Sequence, residues 1–378
     1  MTKQLAERVT RLALIALTLS MLAVPVWAQE EEAVEEDTGF GTWIAELGFW
    51  IAQPSGLNDY VTAVSDPTDP FNTRLLSPSH GTNEEDYAKV GIDLARNKGR
   101  ILITWYGHRE ESEFSARRPG DFIFSTLLVD PTYAGFSLDG RADAVDAFTQ
   151  TRMRDGRLEY SRVAFTGARV EGRWFAAYRR VDFFHRTDAT YSALAPNLPP
   201  FFPGAPLLAP LADSGETRSK FRGRGLELGM EFRAPLFQDK VALEASASMT
   251  ALRGKADTTF RSFTSFYTDS TGQLLLPPYS ELADPMIAAG ARQEVFETGL
   301  RSESLSQSGS VIDTSIAIRW NINKRMNAVV GFRNAYFQNV GIDLRPAGAT
   351  INGSLANVRQ VERSANYEGF FGGLRFLF

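Results

Sequence analysis

The chain of 378 residues holds no cysteine and carries 45 acidic against 40 basic side chains, a formal net charge of −5. The missing thiols exclude a disulfide framework and a cysteine-attached lipid. Mild acidity without a basic tract excludes the electrostatic footprint of a nucleic-acid binder.

Residues 1–28 begin with Lys3, Arg8 and Arg11, pass through an apolar run from Leu12 to Val24 and reach Val26-Trp27-Ala28. This is the pattern of a secretory signal peptide, with Val26 and Ala28 at the two positions that a signal peptidase reads. The run is short for a membrane span, and Pro25 follows it. The expected organisation is a signal peptide at 1–28, an acidic periplasmic segment at 29–40 and a single domain at 41–378. Beyond the leader no apolar stretch of about 18 residues occurs, so no transmembrane helix is expected.

From Thr42 the residues alternate. Trp43, Ala45, Leu47, Phe49 and Ile51 share one parity, with Glu46 and Gly48 on the other, which is the period of a β-strand. Ala88, Val90, Ile92 and Leu94 likewise oppose Lys89, Gly91 and Asp93, and an Asn97-Lys98-Gly99 turn leads to Ile101, Ile103 and Trp105. A polar, irregular stretch is expected between Glu110 and Asp155. The segments Leu158–Ala168 and Trp174–Phe184 read as strands without clean parity, because Arg162, Arg179 and Arg180 interrupt them, and a bulge or an early exit from the membrane is expected there.

The clearest pair follows. Leu226, Leu228, Met230, Phe232 and Ala234 oppose Glu227, Glu231 and Arg233, and Val241, Leu243, Ala245, Ala247, Met249 and Ala251 oppose Glu244 and a row of hydroxyls. Ile312, Thr314, Ile316, Ile318 and Trp320 then oppose Asp313, Ser315 and Arg319, while Val330 and Phe332 oppose Gly331 and Arg333. The last strand places Phe370, Gly372, Leu374, Phe376 and Phe378 on one parity and Arg375 on the other. Short joints near Val170–Gly172, Phe237–Lys240 and Asn321–Arg325 alternate with long connections.

A sandwich also alternates, but carboxylates and guanidiniums on the inner parity are costly in a dry core. They suit a wet barrel interior. Aromatics near the strand ends, Trp43, Phe49, Trp105, Trp320, Phe376 and Phe378, suit the girdles of a membrane barrel. The fold class expected is therefore all-β, an antiparallel up-and-down transmembrane barrel of about ten strands with short periplasmic turns and long extracellular loops. About twelve strands stay open through apolar runs such as FIFSTLLV in the loops at 111–155 and 254–308.

The inward parity assigns a lumen wall of Glu46, Lys89, Asp93, Glu227, Glu231, Arg233, Glu244, Asp313, Arg319, Arg333 and Arg375. Two readings stay open, a water-filled pore whose wall charges select ions and an ion-pair network that fills a narrow lumen. In the pore reading Glu227, Glu231 and Glu244 form an acidic sector facing a basic one at Arg319 and Arg333. Arg222 and Arg224 fall on the lipid-facing parity just above the apolar band, where they meet lipopolysaccharide phosphates or simply snorkel. The Pro-rich run Leu194–Leu211 is apolar for a loop and packs on its neighbours, constricts the mouth or binds a surface partner.

Only His80, His108 and His185 offer general bases, none followed by a serine two residues on, and no spaced ligand cluster suggests a metal. No catalytic, cofactor-binding or metal residue is assigned, and no cofactor is expected.

The phrases LEYSRVAF at Leu158, RWFAAYRRVDF from Arg173, FRGRGLELGMEFRAPL from Phe221 and KVALEASASMTALRG from Lys240 resemble the bacterial pore-forming major outer-membrane protein family. Gly223, Gly225, Gly229 and Gly254 stand where that family punctuates its strands, and YEGFFGGLRFLF resembles its last strand. In such barrels a final strand like Phe370, Leu374, Phe376 and Phe378 is the signal read by the barrel-assembly machinery. The resemblance implies a bacterial outer-membrane porin that passes ions or small solutes, with no enzymatic activity. The alternatives are a non-conducting structural or adhesive surface barrel and an outer-membrane hydrolase.

Overall fold

The computed structural model describes residues 41–57, 62–66, 69–76, 78–94, 99–117, 122–125, 144–167, 169–192, 212–237, 240–268, 292–346 and 358–378. The expected signal peptide at 1–28, the acidic segment at 29–40 and the Pro-rich run at 194–211 lie outside them.

The strands in chain order are β1 (Thr42–Ser55), β2 (Thr62–Asp66), β3 (Asp69–Leu76), β4 (Asn83–Leu94), β5 (Gly99–Arg117), β6 (Phe122–Ser125), β7 (Ala144–Thr166) and β8 (Glu171–Ser192). They continue with β9 (Ala212–Leu236), β10 (Val241–Thr268), β11 (Arg292–Asn321), β12 (Met326–Gln338), β13 (Ile342–Pro346), β14 (Val358–Glu362) and β15 (Ala365–Leu377). Ten of them close a barrel in the order β1, β15, β12, β11, β10, β9, β8, β7, β5, β4 and back to β1, each neighbour antiparallel. Closure pairs every strand edge, as a membrane interior requires. Of the apolar run FIFSTLLV, the described residues Phe122–Ser125 form β6, which pairs with β2 in a separate three-stranded sheet; residues 126–129 lie outside the described residues.

One end is built from short turns. Gly167 donates to the carbonyl of Val170 at 2.8 Å, and Ile322 and Asn323 donate to that of Met326 at 3.0 and 3.2 Å. Phe237 takes a left-handed φ of 47° to turn β9 into β10. At the other end the strands continue far beyond a bilayer. β10 and β11 are 28 and 30 residues long, whereas about 9–11 residues cross the hydrocarbon. The stretch expected to be irregular between Glu110 and Asp155 is partly strand, since β5 runs on to Arg117 and β7 starts at Ala144. Ladder bonding to a neighbour carries these polar strands out past the lipid.

β8 also differs from expectation. Its parity is clean: Arg179 points inward and is fully buried, and Arg180 points outward with a side chain 68% exposed. Adjacent arginines on opposite faces look like a broken pattern only when all charge is counted as one kind. The bulge expected in the segments at 158–168 and 174–184 falls in the first of them, where the register shifts between Val163 and Phe165 of β7.

The outer wall between the short turns and the polar extensions is apolar, with Ile103, Leu158, Leu226, Leu228, Met249, Ile316, Val330 and Phe370 all exposed. So large a contiguous apolar surface needs lipid against it. Among the described residues no helix is long and apolar enough to cross a membrane; the strands do so.

Candidate functional site in the barrel lumen

Toward the long-strand side the interior is packed with Trp50, Tyr87, Tyr106, Met153, Phe183, Phe221, Phe337 and Tyr367 as a continuous buried cluster. Two facing glycines make room for one of them. Gly48 pairs with Gly373 across β1 and β15, and a methyl group on either would stand 2.6 Å from the Tyr87 ring or hydroxyl. Tyr87 fills that gap and donates to Glu46 at 3.1 Å.

Above this layer the chain folds into its own barrel. Asn339 turns with a φ of 53°, and the following segment reaches inward to β9 and β11, where the Ile342 amide donates to Ser219 of β9 at 3.1 Å and Gln307 of β11 donates to the Gly341 carbonyl at 3.2 Å. Val340 and Ile342 join the apolar cluster. Arg363 ties the segment down through Asp343 and the carbonyl of Leu57.

Below the aromatics lies a layer of ion pairs. Arg179 chelates Asp155 with Nε and Nη2 at 2.8 and 2.7 Å and reaches Asp313 at 3.2 Å. Arg333 donates to Asp313 at 2.6 Å and to Asp155 at 3.2 Å. Arg157 bonds Asp313 and Glu227, the latter at 3.2 Å, and Ser248 donates to Glu227 at 2.5 Å. The Arg333 guanidinium also stacks 3.7 Å from the ring centre of Tyr106 and 4.8 Å from that of Trp50. These groups come from β1, β5, β7, β8, β9, β10, β11 and β12, and the Asp155 to Arg333 contact joins strands on opposite sides of the ring.

Between this layer and the short turns is a chamber of about 510 Å³, walled by Lys89, Asp93, Arg100, Glu159, Arg173, Glu231, Arg233, Glu244, Arg319 and Arg375 and reaching the rim at Asn323 and Lys324. Its floor is the ion layer, through Arg157, Asp313 and Arg333.

All the residues assigned to the lumen face inward. Glu46 is fully buried, bonded to Arg375 Nε at 2.6 Å and to Lys89 at 2.9 Å. Glu231 pairs with Arg100, and Glu244 with Arg319. Arg233 has no carboxylate within 4 Å among the described residues. The separate acidic and basic sectors are thereby corrected, because Glu227, Glu231 and Glu244 each carry an arginine partner. Inward charges meet across the lumen even from strands that are not neighbours, as Arg100 of β5 and Glu231 of β9 do, and a buried charge without a partner is expensive. Sequence reasoning missed Asp155, Arg157, Arg179 and Arg100. Their signal was the inward parity of β7 and β8, which Phe175, Ala177, Val181 and Phe183 carry with Arg179, and for Arg100 that of β5, which it shares with Leu102, Thr104 and Tyr106.

The histidines are packed near the long-strand mouth. His185 lies between Thr151 and Thr187 at 3.0 and 2.8 Å. His80 and His108 approach one oxygen of Glu110 at 3.4 and 3.9 Å. Burial pushes the Glu110 carboxyl up, but the two histidines outweigh it and hold it below the usual carboxylate range. Among the described residues no group of three or more His, Cys, Asp or Glu is arranged to hold a metal ion.

A closed ring of strands, an apolar outer wall and a charged interior define a transmembrane β-barrel. No family profile and no curated sequence matches the chain. Solved structures similar to it include the outer membrane protease OmpT from Escherichia coli (TM-score 0.43, 9% identity, 92% of this chain and 99% of that one). Others are the toluene transporter TodX of P. putida (0.33, 10%, 89% of each) and Ail, the attachment invasion locus protein of Yersinia pestis (0.22, 9%, 89% and 99%). At such values these likenesses carry no functional argument, and the strand pairing itself establishes the barrel.

Proposed function

We propose that the chain is a bacterial outer-membrane barrel whose lumen is closed at rest, acting as a structural or adhesive surface barrel and not as a standing pore. The leader pattern at 1–28 and the short-turn end carrying both strand termini support export through the periplasm into that membrane. The observation that carries the closed reading is the contact of Asp155 with Arg333 across the barrel. That contact bridges the lumen, and the aromatic layer and the 339–344 segment lie above it. The lengths of β10 and β11 beyond the lipid supply the surface at which such a barrel meets a partner. No catalytic role is included, since the histidines are engaged with threonines or share one carboxylate.

A second reading, the passive pore of the porin resemblance, is favoured by the polar chamber on the short-turn side. It requires the ion layer to part. Single-channel recording in a planar bilayer separates the two. The closed reading expects no steady conductance from the wild type. Steady ohmic current from the wild type overturns it in favour of the pore.

A further inference from the structure

Three outward-facing arginines stand side by side across three neighbouring strands. Arg180 of β8 is the direct cross-strand partner of Arg224 of β9, and Arg224 is that of Arg253 of β10. In the next outward row Arg154 of β7 pairs with Asp182, Asp182 with Arg222, and Arg222 with Lys255. All six cations are exposed. Their acidic company is thin. Asp182 lies 3.4 Å from Arg180, and Asp257 lies 3.6 Å from Lys255. Among the described residues no carboxylate lies within 4 Å of Arg154, Arg222, Arg224 or Arg253.

Like charges directly opposite one another across a ladder destabilise a sheet. A run of three with so little acid beside it costs stability unless an anion sits among the guanidiniums. The position says which anion. One residue pair toward the short turns, the same rows read Tyr178, Leu226 and Ala251, and Leu226 is 73% exposed on the lipid-facing wall. The arginines begin where the apolar band stops, at the height of lipid headgroups on the long-strand side. Guanidiniums bind phosphate oxygens two at a time, and strands fix their spacing.

We infer that Arg180, Arg224 and Arg253, with Arg154, Arg222 and Lys255 around them, form a binding site for the phosphates of a phosphorylated glycolipid in the outer leaflet. The site widens the contact expected at Arg222 and Arg224 into a three-strand platform. It rests on the membrane placement above, and it stands whether or not the lumen conducts.

The test uses the full chain in phosphatidylcholine vesicles with or without lipid A, and the variant Arg180→Gln/Arg224→Gln/Arg253→Gln. Lipid A is expected to raise the unfolding midpoint of the wild type, dephosphorylated lipid A to leave it unchanged, and the triple variant to lose most of the rise. In phosphatidylcholine alone the triple variant should melt no lower than the wild type, since it relieves repulsion. The pair Lys240→Gln/Arg325→Gln at the short-turn rim should keep the full response. An equal response in the triple variant or with the dephosphorylated lipid overturns the site. A variant that is less stable without lipid A makes the arginines structural and overturns it as well. A rise reproduced by inorganic phosphate alone overturns the lipid as its source.

Discussion

Trp43 and Phe378 exchange two backbone hydrogen bonds of 3.0 Å, so the end of β15 is zipped to the start of β1 and the seam of the barrel closes at its short-turn rim. The Phe378 ring stacks on Phe376 on the lipid side, while Leu377 lines the chamber.

Deleting Phe378 should lower the yield of assembled barrel more than Leu377→Ala does, because it removes a seam residue and the terminal aromatic together. Band shifts between unboiled and boiled samples on a detergent gel measure the folded fraction. Equal yields would show that the terminal strand is not read through Phe378.

The ion layer should behave as one coupled unit. Asp155→Ala leaves Arg179 and Arg333 short of a carboxylate in a buried site, and loss of one partner there costs about 3–5 kcal/mol. Asp155→Leu/Arg333→Met should cost less than the sum of the two single changes, because contacting charges are not additive. Urea titrations in detergent micelles read both values.

Glu110 sits beyond the apolar band, where the outward residues of β5 have become Arg109 and Glu111. Its carboxyl is held low by His108 and His80 against the push of burial. A depressed carboxyl contributes stability above its unfolded pKa, and that contribution is lost as pH falls through the folded value. Glu110→Gln should therefore flatten the acid limb of the stability profile below the usual carboxylate range, about pH 4.3. Thermal melts from neutral to acid pH would show it, and parallel profiles for the two proteins would exclude the effect.

Gly48→Ala should destabilise by about 1–3 kcal/mol, the range for overpacking a filled interior, since the added methyl meets the Tyr87 ring. Tyr87→Phe keeps the filling and removes only the bond to Glu46. It should cost about 1 kcal/mol. The same urea titration orders the two variants.

Much of this was legible along the chain because a barrel strand has a period of two and a solvent on each side. Glu46, Asp313 or Arg375 could be placed on the inner face from their neighbours alone, and Phe370 or Leu226 on the outer. The joints were legible too, since tight turns need particular residues at particular places. The contact across the lumen was decided only by the tertiary structure. Asp155 and Arg333 are 178 positions apart, and nothing local says that β7 and β12 face each other across a ring. That depends on strand number and register together. The same holds for Arg180, Arg224 and Arg253, which are scattered in the chain and become one platform when three registers align. Parity fixes the face on which a side chain stands, but its partners follow from how the strands are paired.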